Sequence, residues 1–119
     1  MWYGVDCNAD GEVIKILLEN NNLTGTLPSV WKDLANLEIL YLYSNKLTGT
    51  LPSAWQDLAN LQALALFSNE LTGTLPSAWK DLANLQYLDL TSNDLAGSIP
   101  ASVCQLNINI YVDDGIVGC

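Results

Sequence analysis

The chain has 119 residues, half of them hydrophobic, which suffices for one domain with a buried core. Thirteen acidic residues face four lysines, with no arginine and no histidine, for a net charge of -9. Phosphate recognition draws on clustered cations, so this balance argues against nucleic acid and anionic membranes as partners.

The missing histidine removes the usual general base and the commonest metal ligand. No apolar run approaches the roughly 18 residues of a membrane span, so membrane insertion is not expected. Met1 is followed at once by Trp2 and Tyr3, without a basic region or an apolar stretch, so no signal peptide is expected.

The first informative stretch is Asp6-Cys7-Asn8-Ala9-Asp10-Gly11-Glu12. Oxygen-bearing side chains at alternate positions followed by a glycine match the start of an EF-hand loop. The twelfth position, which should be a bidentate glutamate, is Leu17. Asp-Gly is also a strong hairpin signal in its own right, so a turn between two strands is the expected structure and no metal site is expected.

From residue 13 onward the chain repeats. Leu-Thr-Gly-Thr-Leu-Pro-Ser begins at Leu23, Leu47 and Leu71, and Leu-Ala-Gly-Ser-Ile-Pro-Ala begins at Leu95, each 24 residues after the last. Within each unit the pattern is L-x-x-L-x-L-x-x-N-x-L: Leu37, Leu40, Leu42, Asn45 and Leu47 in one copy, and Leu61, Leu64, Leu66, Asn69 and Leu71 in the next. Leu85, Leu88, Leu90, Asn93 and Leu95 form the third, and Val13, Ile16, Leu18, Asn21 and Leu23 a looser first. L-x-L predicts a short strand with alternate side chains pointing inward. The asparagine follows where the chain turns inward, and its amide can bond buried backbone groups in a ladder of stacked copies. One repeat cannot bury its own leucines, so neighbours must do so.

This signature resembles the plant-type leucine-rich repeat family, marked by Leu-Thr-Gly-Thr-Leu-Pro after the asparagine. The resemblance covers nearly the whole chain. It implies an α/β repeat fold: a right-handed solenoid with a parallel concave sheet and a convex side of 3₁₀ turns or short helices. The Leu-Thr-Gly segment should add a short second strand, and Pro-Ser-Ala-Trp-x-Asp should start a convex helical turn. Gly-Thr-Leu-Pro-Ser-Ala-Trp is similar to repeats of protist and algal members. Trp2, Gly4, Val5, Cys7, Gly11 and Val13 match the family's N-terminal cap. Residues 1–12 are therefore expected to form a partial cap hairpin, 13–103 four repeats of 24 residues, and 104–119 a C-terminal cap.

The three cysteines lie near the ends, not in paired C-x-x-C clusters, so zinc is not expected. Cys104 and Cys119 can bridge a short loop, and Cys7 is then left as a free thiol, an intermolecular link or half of a pair completed upstream. The resemblance implies the last, because family members pair the cap cysteine with one just before the tryptophan. It also implies that a Cys104–Cys119 disulfide ties down the C-terminal cap, and with it an oxidising, extracellular or cell-surface location.

Strand positions not filled by leucine should face outward on the concave side. They are Lys15, Leu17 and Glu19; Ile39, Tyr41 and Tyr43; Ala63, Ala65 and Phe67; and Tyr87, Asp89 and Thr91, with Tyr111 and Asp113 continuing the surface. Tyr41, Tyr43, Phe67, Tyr87, Asp89 and Tyr111 are the candidate ligand-binding residues, since exposed aromatic patches mark contact surfaces. Trp31, Trp55 and Trp79 recur at core slots and are expected inside the convex side. The recurring Asp33, Asp57 and Asp81 suggest solvated positions rather than catalysis, because identical repeats give identical environments and paired catalytic carboxylates need different ones. Asn22-Leu23-Thr24 is an N-glycosylation sequon with Asn22 expected outside.

The expected function is a non-catalytic recognition module that binds a protein or peptide on its concave face, without a cofactor. The near-identical central repeats also fit a consensus scaffold without a natural ligand. The Thr24, Thr48 and Thr72 column fits an ice- or surface-binding protein.

Overall fold

A computed structural model describes residues 3–119. Trp2 of the cap motif lies outside the described residues. The strands Val5–Cys7 (β1), Val13–Leu17 (β2), Ile39–Tyr41 (β4), Ala63–Ala65 (β6), Tyr87–Asp89 (β8) and Asn109–Tyr111 (β10) form one six-stranded sheet in that order. β1 runs antiparallel to β2, and every later pair is parallel. The register advances by one repeat per strand: Ile16, Leu40, Leu64, Leu88 and Ile110 lie side by side. This is a leucine-rich repeat solenoid. β10 sits where alternating Ile108, Ile110 and Val112 predict a last strand.

Four further strands follow the asparagines: Thr24–Thr26 (β3), Lys46–Thr48 (β5), Thr72–Gly73 (β7) and Asp94–Leu95 (β9). They pair as β3–β5 and β7–β9 in two small parallel sheets. The convex side carries 3₁₀ helices Ser29–Asp33 (η1), Ser53–Asp57 (η2) and Ser77–Asp81 (η3), and the α-helix Ala101–Cys104 (α1). Pro28, Pro52, Pro76 and Pro100 stand at their N-caps. The fixed φ of proline suits that entry.

The core is the repeating leucine set. Leu37, Leu40, Leu58, Leu61, Leu64, Leu66, Leu71, Leu88 and Leu90 are fully buried, as are Trp55 and Trp79. Each buried leucine contributes on the order of 1.5–3 kcal/mol by leaving water. The tryptophans stack at 6.4 Å between successive ring centres. Each also ties its repeat to the one before: Trp55 Nε1 donates to the Pro28 carbonyl and Trp79 Nε1 to the Pro52 carbonyl, both at 2.9 Å. Trp31 departs from expectation, being only partly buried. It has the cap hairpin rather than a repeat on its outer side, and it borders an open apolar cavity of about 520 Å³ with Val5, Cys7, Val13, Ile16, Leu18 and Leu34.

The asparagines form the ladder. Asn45 Nδ2 donates to the Leu42 carbonyl of its own repeat at 2.9 Å and to Leu18 of the preceding one at 3.0 Å. Its Oδ1 accepts the backbone N–H groups of Asn21 and Leu23. Asn69 bridges the Leu66 and Leu42 carbonyls and accepts from Leu47 N–H, and Asn93 bridges Leu90 and Leu66 and accepts from Leu71 N–H. Ser44, Ser68 and Ser92, each just before an asparagine, adopt φ near +55°. This left-handed turn accompanies the inward aim of the following amide.

The ladder ends differently. Asp113, expected on the concave face, accepts the Ser92 and Asn93 N–H groups at 2.8 and 3.2 Å. The strand order leaves no further asparagine to do so. Cys104 and Cys119 are disulfide-bonded, and Cys7 is a free, exposed thiol.

In the N-terminal turn, Asn8 Oδ1 accepts the N–H groups of Asp10 and Glu12, and Gly11 takes φ +81°. The Asn8 oxygen that an EF-hand loop would aim at calcium is thus engaged by the backbone.

Asn45→Ala and Asn69→Ala should each lower unfolding free energy by about 1–3 kcal/mol, the penalty for unsatisfied buried polar groups. The exposed Asn21 should cost less than about 0.5 kcal/mol on the same change, as surface substitutions do. Urea melts of the three variants measure the difference; equal, small effects would remove the ladder from the account.

Candidate functional site

The outward-facing strand positions fall into rows fixed by the register. One row reads Lys15, Ile39, Ala63, Tyr87 and Asn109, and the next Leu17, Tyr41, Ala65, Asp89 and Tyr111. Tyr43 and Phe67 lie just beyond the strand ends. Their rings stack at 4.3 Å, nearly parallel at 11°. Tyr41 adds a tilted contact to Tyr43 at 5.8 Å.

A second aromatic pair, Tyr87 and Tyr111 at 5.6 Å, sits on β8 and β10. Tyr111 is 48% exposed, and the other four rings are partly buried by one another. Five of the six candidate residues are therefore aromatic, gathered into two groups on one face.

β6 lies between Tyr41 on β4 and Tyr87 on β8. Ala63 and Ala65 carry almost no side chain where neighbouring strands carry Ile39, Tyr41 and Tyr87. The result is a concavity of about 350 Å³ with an alanine floor and walls of Tyr41, Tyr43, Phe67 and Tyr87. Sequence reasoning placed both alanines on this face but did not single them out. The signal was present as the smallest residues in otherwise bulky rows.

Asp89 is engaged internally. Its Oδ2 accepts the Tyr87 hydroxyl at 3.0 Å, and its Oδ1 accepts Thr91 Oγ1 at 2.7 Å and Thr91 N–H at 3.1 Å. Burial, followed by the hydrogen bond to Asp89 and its charge, pushes the Tyr87 phenol up to about 12. Asp89 thus acts first as an anchor for Tyr87 and Thr91. Glu19 lies opposite Tyr43 when the β2–β4 register is extended by two residues, and its Oε2 is buried with no hydrogen-bond partner among the described residues.

Elsewhere, Asn22 and Thr24 of the sequon are exposed and Leu23 between them is partly buried, with Asn22 at φ +54°. Asp33, Asp57 and Asp81 are exposed on the convex side, and Lys32 pairs with Asp33 at 3.1 Å. Asn60 and Asn84 donate to the carbonyls of Ala35 and Ala59, one repeat back. The convex polar residues that have such roles are thus engaged in the scaffold.

The threonines of the small sheets are all exposed, but their pairing differs from the simple column: Thr26, not Thr24, lies opposite Thr48. The register there is offset by 22 residues, and Thr24 lies opposite Lys46. The Thr26 methyl leans over Gly49, where a Cβ would approach it to 2.9 Å at φ +82°. Glycine is required at that contact.

Sequence comparison agrees with this geometry. The pattern described as Leucine rich repeat matches residues 12–71, and a second match, Leucine Rich Repeat, covers 84–106. The chain belongs to the leucine-rich repeat family, and its structural relatives include plant receptor ectodomains. No curated protein matches it.

Among solved structures, the BIR3–SERK2 complex from Arabidopsis thaliana is 30% identical, with a TM-score of 0.83 over 97% of this chain and 62% of that one. The ectodomain of the Arabidopsis thaliana receptor kinase GASSHO1/SCHENGEN3, solved with CASPARIAN STRIP INTEGRITY FACTOR 2, is 32% identical, with a TM-score of 0.84 over 98% of this chain and 17% of that one. A plant ice-binding protein is 25% identical, with a TM-score of 0.83 over 98% of this chain and 47% of that one. The chain thus spans less than two thirds of each of these relatives.

Tyrosine in an unfolded chain titrates near 10. A folded value near 12 means that folding favours the protonated phenol. Its contribution to stability is complete below about pH 10 and is lost as pH rises through about 12. Tyrosinate absorbance should show one of the five tyrosines titrating late, and Asp89→Asn should bring that step down. A single, unshifted step for all five would refute the Tyr87–Asp89 coupling.

Proposed function

We propose that the chain is a non-catalytic recognition module that binds a protein or peptide on the concave face of its solenoid. The site is Tyr41, Tyr43, Phe67, Tyr87 and Tyr111, with Asp89 fixing Tyr87. The observation that carries this reading is the aromatic-walled concavity over Ala63 and Ala65. The leucines and asparagines already build the core, and these rings lie outside it. Aromatic side chains gathered on an exposed face mark binding hot spots. The receptor ectodomain solved with CASPARIAN STRIP INTEGRITY FACTOR 2 supports the reading by the likeness of its fold.

The Cys104–Cys119 disulfide supports a secreted or cell-surface location. The Gly-Thr-Leu-Pro-Ser-Ala-Trp unit supports a protist or algal source. The organisation that goes with this reading is a partial N-terminal cap over 1–12, four repeats over 13–103 and a C-terminal cap over 104–119.

A second reading is binding to an ordered surface such as ice. It is favoured by the exposed Thr24, Thr26, Thr48, Thr50, Thr72 and Thr74 and by the likeness to a plant ice-binding protein. Lys46 and Asp94, set opposite Thr24 and Thr72, interrupt those rows with charge and weigh against it.

Two measurements separate the readings. Wild type and a Tyr41→Ser/Tyr43→Ser/Phe67→Ser variant, with folding confirmed by circular dichroism, are used to capture partners from extracellular and membrane fractions of the source organism. Recognition by the concave face should give a partner kept by wild type and lost by the variant. Equal retention would move the site elsewhere, and no partner for either would favour a scaffold. Thermal hysteresis should be absent from wild type; hysteresis abolished by Thr48→Tyr would replace the recognition reading with the ordered-surface one.

A further inference from the structure

We infer that the concavity over Ala63 and Ala65 receives a cationic side chain, arginine foremost, from a basic peptide. The inference rests on the concave-face reading and specifies its ligand.

Shape is the first argument. Two of the walls come from strands on either side of β6, Tyr41 on β4 and Tyr87 on β8. At about 4.8 Å per strand, those backbones stand roughly 10 Å apart. That gap suits one planar group between two rings, over a floor that the alanine methyls leave low. A guanidinium is planar and stacks on aromatic faces, whereas an ammonium is compact and more strongly hydrated.

Charge is the second argument. The four walls are π-systems, whose faces attract cations within about 6 Å. Around them the outward face carries Glu19, Asp89 and Asp113 against a single ammonium, Lys15. Lys15 lies on β2 at the N-terminal margin, two strands from the floor. Asp89 is the register neighbour of Ala65 and so stands at the edge of the concavity. Its carboxylate holds Tyr87 and Thr91. Glu19 has an oxygen without a hydrogen bond, near the Tyr43 end of the aromatic row. The chain as a whole, at -9, repels acidic partners and steers basic ones. A purely apolar knob would fill the space but would leave these charges unanswered.

The test uses the whole chain and three synthetic peptides of glycine carrying two arginines, two citrullines or two glutamates. Isothermal titration should give measurable binding for the arginine peptide, about 10-fold weaker binding for its neutral citrulline isostere, and none for the glutamate peptide. Added salt should weaken the arginine peptide's binding.

Ala63→Leu fills the floor, and bulky Ile39 and Tyr87 in the same row show that the slot tolerates it. This variant should keep the wild-type melting temperature and lose arginine binding. Tyr87→Leu, which removes one wall, should weaken it independently. Equal binding of the arginine and citrulline peptides, or undiminished binding by folded Ala63→Leu, would overturn the inference, as would no binding at millimolar peptide. If a natural partner is nevertheless captured by wild type and lost by the triple serine variant, concave recognition survives and only the cationic assignment falls.

Discussion

The structure depends on one hydrogen-bonding problem, the turn after each strand. A parallel sheet built from three-residue strands soon runs out of ladder, and the next carbonyls must enter the core. The asparagine amide solves this twice at once, bonding the Leu42 carbonyl in its own repeat and the Leu18 carbonyl in the one before. Repeated at Asn69 and Asn93, the same bonds lock each repeat to its predecessor. An unpaired carbonyl there would cost more than most single contacts provide. The aligned register of the large sheet follows, and so does the alignment of every outward row.

That alignment makes a surface out of isolated residues. Tyr43 and Phe67 stand 24 positions apart in sequence, yet their rings stack at 4.3 Å because their strands are neighbours in register. Ala63 and Ala65 make a concavity only because the same register brings Tyr41 and Tyr87 to either side. The opposite face spends its aromatics differently. Trp55 and Trp79 are buried, stacked and hydrogen-bonded to proline carbonyls, so they belong to the scaffold. One residue class thus serves stability from the convex 3₁₀ helices and presents surface from the outward slots of the concave strands.

Charge follows the same division. The inward slots Ile16, Leu40, Leu64, Leu88 and Ile110 are aliphatic, and the carboxylates of Glu19, Asp89 and Asp113 lie on the outward face or at its end. Asp89 holds the Tyr87 and Thr91 side chains by hydrogen bonds, and Asp113 holds the Ser92 and Asn93 backbone. A face held rigid before any ligand arrives loses less conformational entropy when one binds.

Much of this was legible in the sequence, and for a definite reason. The period of 24 residues and the alternation of L-x-L report which side of the backbone each residue occupies, because strand geometry leaves only two choices. The sheet, the second short strands, the 3₁₀ turns, the asparagine ladder and the outward position of Tyr41, Tyr43, Phe67, Tyr87, Asp89 and Tyr111 all follow from that periodicity and the family pattern it matches. What periodicity does not report is the neighbourhood. The partial exposure of Trp31, beside the cap hairpin, and the capture of Asp113 by the Ser92 and Asn93 N–H groups depend on what packs against the first and last repeats. The 22-residue offset of the small strands, the Tyr87–Asp89 bond and the alanine-floored concavity depend on distances between side chains of different repeats. Those distances exist only once the repeats are stacked, so tertiary structure alone decided them.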